Sequence, residues 1–194
     1  MNGTRVIPIF YLCTPILSKM KLSIILLLSI VSLSVSAKSF KSDMVEVSSY
    51  DSSIQSPLSK LLILYYDLKN ALVNSDAIAA SDKAGSLLKA INGVDTKVLQ
   101  ADERKVFMSL QDKLSYDARH ISEVQKIEHQ REHFANLSIN MYTLAKSVRL
   151  SGNPIYEDYC PMKKAYWLSA EAEIKNPYFG NQMPDCGSVK NTLH

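Results

Sequence analysis

A chain of 194 residues with 46% hydrophobic and 21% charged side chains has the composition of a globular protein, which excludes collagen-like and disordered classes. Six Gly and seven Pro leave no room for a long flexible linker or a low-complexity tract, and the length suits one domain with its own core. The formal charge of +3 invites an acidic partner, nucleic acid or an anionic membrane, until the charges are located.

The first 37 residues contain Arg5, Lys19 and Lys21 and no Asp or Glu. From Met20 a short basic start runs into an apolar stretch over 22–35, diluted only by Ser, and ends in Val35-Ser36-Ala37 before Lys38. This is the pattern of a signal peptide over 1–37, with translation starting at Met20 and cleavage after Ala37. The apolar run, about 14 residues, is short for a membrane anchor, which is the alternative reading. Cys13 has no lipobox before it. Removing those three of 22 basic residues leaves 19 against 19 acidic ones. The expected mature chain is therefore neutral, is periplasmic or secreted, does not insert in a membrane and has no basic patch for nucleic acid.

Residues 38–55 are Ser-rich and aperiodic, and read as a loose arm before a helical domain over 56–194. Ser56-Pro57 opens a helix over 57–73, with Leu61, Tyr65, Leu68 and Leu72 on one face. Asn74-Ser75-Asp76 breaks it and caps a second helix carrying Ala77, Ala80, Ala84, Leu87 and Ile91, which stops at Asn92-Gly93. A third helix is predicted over 97–119, its inner face Phe107, Leu110, Leu114, Ala118 and Ile121. Ser122-Glu-Val-Gln125 has the capping-box pattern for a fourth, with Val124, Ile127, Phe134, Leu137, Met141, Leu144 and Val148 inward and a stop at 151–154. No segment alternates long enough to argue for a sheet. The predicted fold is all-α: an antiparallel four-helix bundle with an irregular, aromatic- and Cys/Met-rich C-terminal cap over 152–194. One short helix is expected in that cap, around 168–174.

The cap holds Pro154, Pro161, Pro177 and Pro184, the only Trp and the two remaining cysteines. Cys160-Pro161-Met162 and Met183-Pro184-Asp185-Cys186 each pair a thiol with a thioether. Soft sulfur donors select Cu(I), Ag(I) or Zn(II) over hard cations. The competing reading is a Cys160–Cys186 disulfide, because an exported chain meets an oxidising compartment. Closing that loop of about 26 residues stabilises a fold by roughly 3–4 kcal/mol in the chain-entropy treatment. On the fourth helix His129, His133, Asn136 and Asn140 form a polar seam at i, i+4, i+7 and i+11, and two such imidazoles can chelate one ion. The intervening sequence, His-Gln-Arg-Glu-His, lacks the Glu placement of a zinc-protease helix. His120 stands isolated on the third helix. Tyr159, Trp167, Tyr178 and Phe179 offer either buried surface that fastens the cap or a groove for a partner. Phosphate loops, Cys-x-x-Cys pairs, haem attachment motifs and nucleophile elbows are all absent, so no enzyme is indicated.

Gln130-Arg-Glu-His-Phe134, Tyr159-Cys-Pro-Met162, Trp167-Leu-Ser169, Ile174-Lys-Asn-Pro-Tyr-Phe-Gly180, Met183 and Cys186-Gly187 together resemble one uncharacterised bacterial family, a domain of unknown function. Its members are exported helical proteins of Gram-negative bacteria, and the same domain ends the periplasmic adaptor subunits of heavy-metal efflux systems. The resemblance spans about residues 56–192. It implies an exported helical domain, metal handling with copper as Cu(I) or a related soft ion, and components of an efflux system as partners. It maps ligand positions onto Cys160, Met162, Met183, Cys186 and His133. Two departures stand out: the link from Met162 to Trp167 is short and lacks Asn or Gly, and no His or Trp lies near Phe107. The expected function is a non-enzymatic protein that binds or hands on a soft metal ion, with a disulfide-stapled interaction module as the alternative.

Overall fold

The computed structural model describes residues 56–194; the expected signal peptide 1–37, with Cys13, and the expected arm 38–55 lie outside the described residues. Four helices come first: α1 (Pro57–Val73), α2 (Ala77–Asn92), α3 (Ala101–Glu123) and α4 (Ile127–Ser147). Each packs on the next in the chain, and the short connections make the neighbours antiparallel. The local end signals act as the residue types require. Ser56 Oγ accepts the Leu58 N–H at 3.3 Å beside Pro57, and Asp76 Oδ1 accepts the Ala79 N–H at 2.9 Å. The Leu61, Tyr65, Leu68 and Leu72 stripe is fully buried, as are Ala80, Ala84, Leu87 and Ile91 opposite it.

The third and fourth helices meet differently from the sequence reading. A single 3-10 turn (Thr96–Val98) precedes α3, which begins at Ala101 and runs through Ser122 to Glu123. Ser122 spends its hydroxyl on the Arg119 carbonyl at 2.7 Å and caps nothing. The turn is closed instead by Gln130, fully buried, whose side-chain N–H groups donate to the carbonyls of Val124 (2.7 Å) and Ala77 (2.9 Å). A carbonyl beyond the end of α3, which has no partner within the helix, is satisfied from the next one.

The all-α expectation is overturned in the C-terminal region. Strands β1 (Ile155–Cys160), β2 (Ala165–Ser169) and β3 (Ser188–Leu193) form an antiparallel sheet of order β2-β1-β3, so the fold is mixed α and β. The helix expected around 168–174 does not form. Leu168 and Ser169 pair with Glu157 and Tyr156, and Ser169 Oγ accepts the Glu171 N–H at 3.2 Å to make a turn. The short link without Asn or Gly is the β1–β2 hairpin: Lys164 donates its N–H to the Cys160 carbonyl at 2.8 Å and itself takes φ 56°.

Sheet and helices share one hydrophobic core, in which Trp167, Leu168 and Tyr178 join the helical stripes. Two polar devices lock them together. Tyr65, on α1, stacks on Phe134 at 5.2 Å, and its hydroxyl meets Ser138 Oγ (2.7 Å) and accepts the Leu168 N–H (3.0 Å). Arg131, buried on α4, donates to the carbonyls of Pro177 (2.8 Å) and Leu72 (3.1 Å) and to Ser75 Oγ (3.0 Å). Gly180 sits against this Arg131 bridge at φ 52°. A β-carbon there would strike Ser75 Oγ, Arg131 Nη2 at 2.7 Å and the Val73 carbonyl at 2.8 Å.

Candidate metal centre

β1 ends at Cys160, wholly buried, and β3 begins just after Cys186, half-buried. The β1–β3 register pairs Tyr159 with Ser188, which brings the two cysteines to the same end of adjacent strands. Their Sγ atoms stand 3.6 Å apart as free thiols, well beyond the roughly 2.05 Å of a disulfide bond.

The hairpin turn 160–164 supplies donors to both sulfurs. The Lys163 N–H points at Cys160 Sγ at 3.5 Å, and the Met162 backbone N–H is directed at Cys186. Desolvation, then the adjoining Cys160 thiol, raise the Cys186 thiol above its ordinary value, and the Met162 N–H acts against that rise.

The loop before Cys186 is held by Asn176, fully buried. Asn176 Oδ1 accepts the N–H groups of Tyr178 (2.8 Å) and Phe179 (3.2 Å), and its Nδ2 donates to the Cys186 carbonyl at 2.5 Å. Gly187 lets the Trp167 ring close over this corner: a β-carbon would lie 2.8 Å from Trp167 Cη2.

The other predicted ligands divide. Met162 is in the hairpin beside the thiols, but its side chain is 66% exposed and so lies free of the packed core. Met183 is half-buried, and its carbonyl accepts the Cys186 N–H at 3.4 Å. His133 faces Asp117 and His120 on α3. Its Nδ1 lies 2.9 Å from Asp117 Oδ1, and its ring stacks on His120 at 4.5 Å and meets His129 at 4.7 Å. His120 is therefore not isolated. Its membership of a histidine group comes from the pairing of α3 with α4, for which the sequence offers no spacing signal.

The aromatic residues also separate. Trp167 and Tyr178 are core, and the Tyr178 hydroxyl donates to the Tyr166 carbonyl. Tyr159 and Phe179 stay partly exposed. Among the described residues, no helix is long and apolar enough to cross a membrane.

The molecule is thus a four-helix layer completed by a small antiparallel sheet, with two cysteine sulfurs 3.6 Å apart at one sheet corner. Residues 61–153 match the family described as "Protein of unknown function (DUF3347)", so the chain carries a domain of unknown function that covers the helices. Cys160 and Cys186 lie beyond the matched segment, and His120, His129 and His133 lie inside it. No curated protein matches the chain. No solved structure matches it.

Proposed function

We propose that this protein binds a soft, thiophilic metal ion of the Cu(I) type at Cys160 and Cys186 and hands it on, without enzymatic chemistry. The observation that carries the reading is the pair of free thiols at 3.6 Å with a backbone N–H directed at each sulfur. Ligation requires thiolates, so metal binding must displace the thiol protons and should weaken on acidification. Soft ions of low coordination number need no more than two or three such donors. Met162 and Met183 flank the thiols in the chain and are the nearest source of a further soft donor. The donors brought together at this corner are sulfurs, and thiolate and thioether ligands select soft ions. The export-type amino end and the resemblance to domains on efflux adaptors support a role in periplasmic metal traffic, with efflux components as partners.

Anaerobic Cu(I) titration of the reduced full-length protein against a competing chelator tests this. Stoichiometric uptake that disappears in the Cys160→Ser, Cys186→Ser double variant is the expected result. Unchanged affinity in that variant removes the site. An intact mass two protons below the reduced chain, with no metal uptake, instead supports the disulfide-stapled interaction module.

A further inference from the structure

The seam between α3 and α4 gathers three imidazoles away from the thiol pair. His120 stands near the C-terminal end of α3, and His129 and His133 occupy successive turns of α4. One ligand nitrogen from each lies within 4.8 Å of the other two. We propose that His120, His129 and His133 form a second metal site, for a divalent first-row ion of the Zn(II) or Cu(II) class.

Four features make this a built site. Tetrahedral Zn–N bonds of about 2.0–2.1 Å place donor nitrogens ~3.3 Å apart, so small side-chain rotations close the cluster on an ion. Asp117, buried on α3, holds His133 Nδ1 at 2.9 Å and leaves Nε2 as its ligand atom, the carboxylate–histidine arrangement that orients metal ligands. The Tyr116 ring packs against the His120 ring at 4.4 Å. Exposure rises from 15% at the His133 side chain to 36% at His129, so an ion has a way in from solvent.

The donor set selects the ion. Three neutral nitrogens are too soft for Ca(II) or Mg(II) and harder than the thiol pair, which suits the borderline divalent ions. A positive charge on the far side of His133 also compensates Asp117, whose buried carboxylate otherwise faces only imidazoles in this cluster. The fourth position falls to water or to Glu132, whose Oε2 lies 4.0 Å from His129 Nδ1. The two sites together would give one chain a place for a reduced soft ion and another for a divalent one.

Co(II) titration of the untagged full-length protein, followed by Zn(II) displacement, reads this site by visible absorption. One Co(II) per chain with an intense tetrahedral spectrum and no thiolate charge-transfer band is expected. Asp117→Asn should weaken binding by about 10–100-fold. His120→Ala and the more exposed His129→Ala should each weaken it at least tenfold while leaving the far-UV circular dichroism unchanged. Binding by both histidine variants at wild-type affinity, or no uptake of either ion, overturns the proposal. A cobalt spectrum that depends on Cys160 and Cys186 overturns it as well. Cu(I) binding by the cysteines is a separate measurement: its failure leaves this site standing, and the failure of this site leaves the thiol reading standing.

Discussion

The helical and sheet regions of this protein share one core but are specified in different ways. Each helix repeats its instruction several times. Four apolar side chains on α1 say the same thing, and its caps are adjacent residues. The strands lack that redundancy. In β1 the fully buried positions are Ile155, Asp158 and Cys160, because a bulge between Glu157 and Asp158 shifts the alternation. In β2 Trp167, Leu168 and Ser169 are buried in succession, and β3 is mostly exposed. Single polar contacts from Tyr65 and Arg131 on the helices, and from Asn176 within the region itself, hold it in place. A periodic element tolerates the loss of one signal; a region held by a few long-range bonds does not.

The sharpest way to break that contrast is at Gly180. Gly180→Ala adds a left-handed alanine and a clash with the Arg131 bridge, for a loss of about 3 kcal/mol in urea unfolding. Trp167, the only tryptophan, reports the sheet by fluorescence, while far-UV circular dichroism reports the helices. Because the core is shared, both probes should show the same lowered midpoint. Separate transitions would mean that the two regions fold independently.

Next in size is the buried carboxyl of β1. Burial pushes Asp158 up from 3.8 to about 6, against the attraction of Lys69 and with the repulsion of Glu157. A carboxyl whose folded value is raised contributes most below its unfolded value, and that contribution is lost as the pH rises through its folded value. Wild-type stability should therefore fall by on the order of 2 kcal/mol more than that of Asp158→Asn between about pH 4 and pH 6. Parallel pH–stability curves for the two proteins would refute the assignment. The smallest effect is at the hairpin, where Lys164→Gly relieves a left-handed lysine and should raise stability by about 0.5 kcal/mol in the same urea assay. A loss there would show that the lysine side chain packs usefully.

What could be read of the candidate sites follows the same division. Cys160 and Cys186 could be singled out because two thiols with neighbouring thioethers are rare residue types in one short segment, and the fold does bring the sulfurs together. Grouping His133 with them came from the resemblance and not from spacing, and the rotation of α4 turns that ring towards Asp117 instead. His129 and His133 were legible as an i, i+4 pair on one helix. His120 was not, since its neighbour is thirteen residues away across a turn that Gln130 closes. The aromatic residues of the C-terminal region were legible as fastening surface, but only packing separates buried Trp167 and Tyr178 from partly exposed Tyr159 and Phe179.

By itself the sequence determined four amphipathic helices, the ends of the first two, and the presence of two thiols in a C-terminal segment unlike the rest. Those are properties of neighbouring residues, set by helical periodicity and by side chains that reach their own backbone. Tertiary structure alone decided that the last segment is a sheet, that two sulfurs stand 3.6 Å apart, and that three histidines meet between α3 and α4. Strand pairing and ligand clustering join residues far apart in the chain, and no local pattern encodes a partner that only packing supplies.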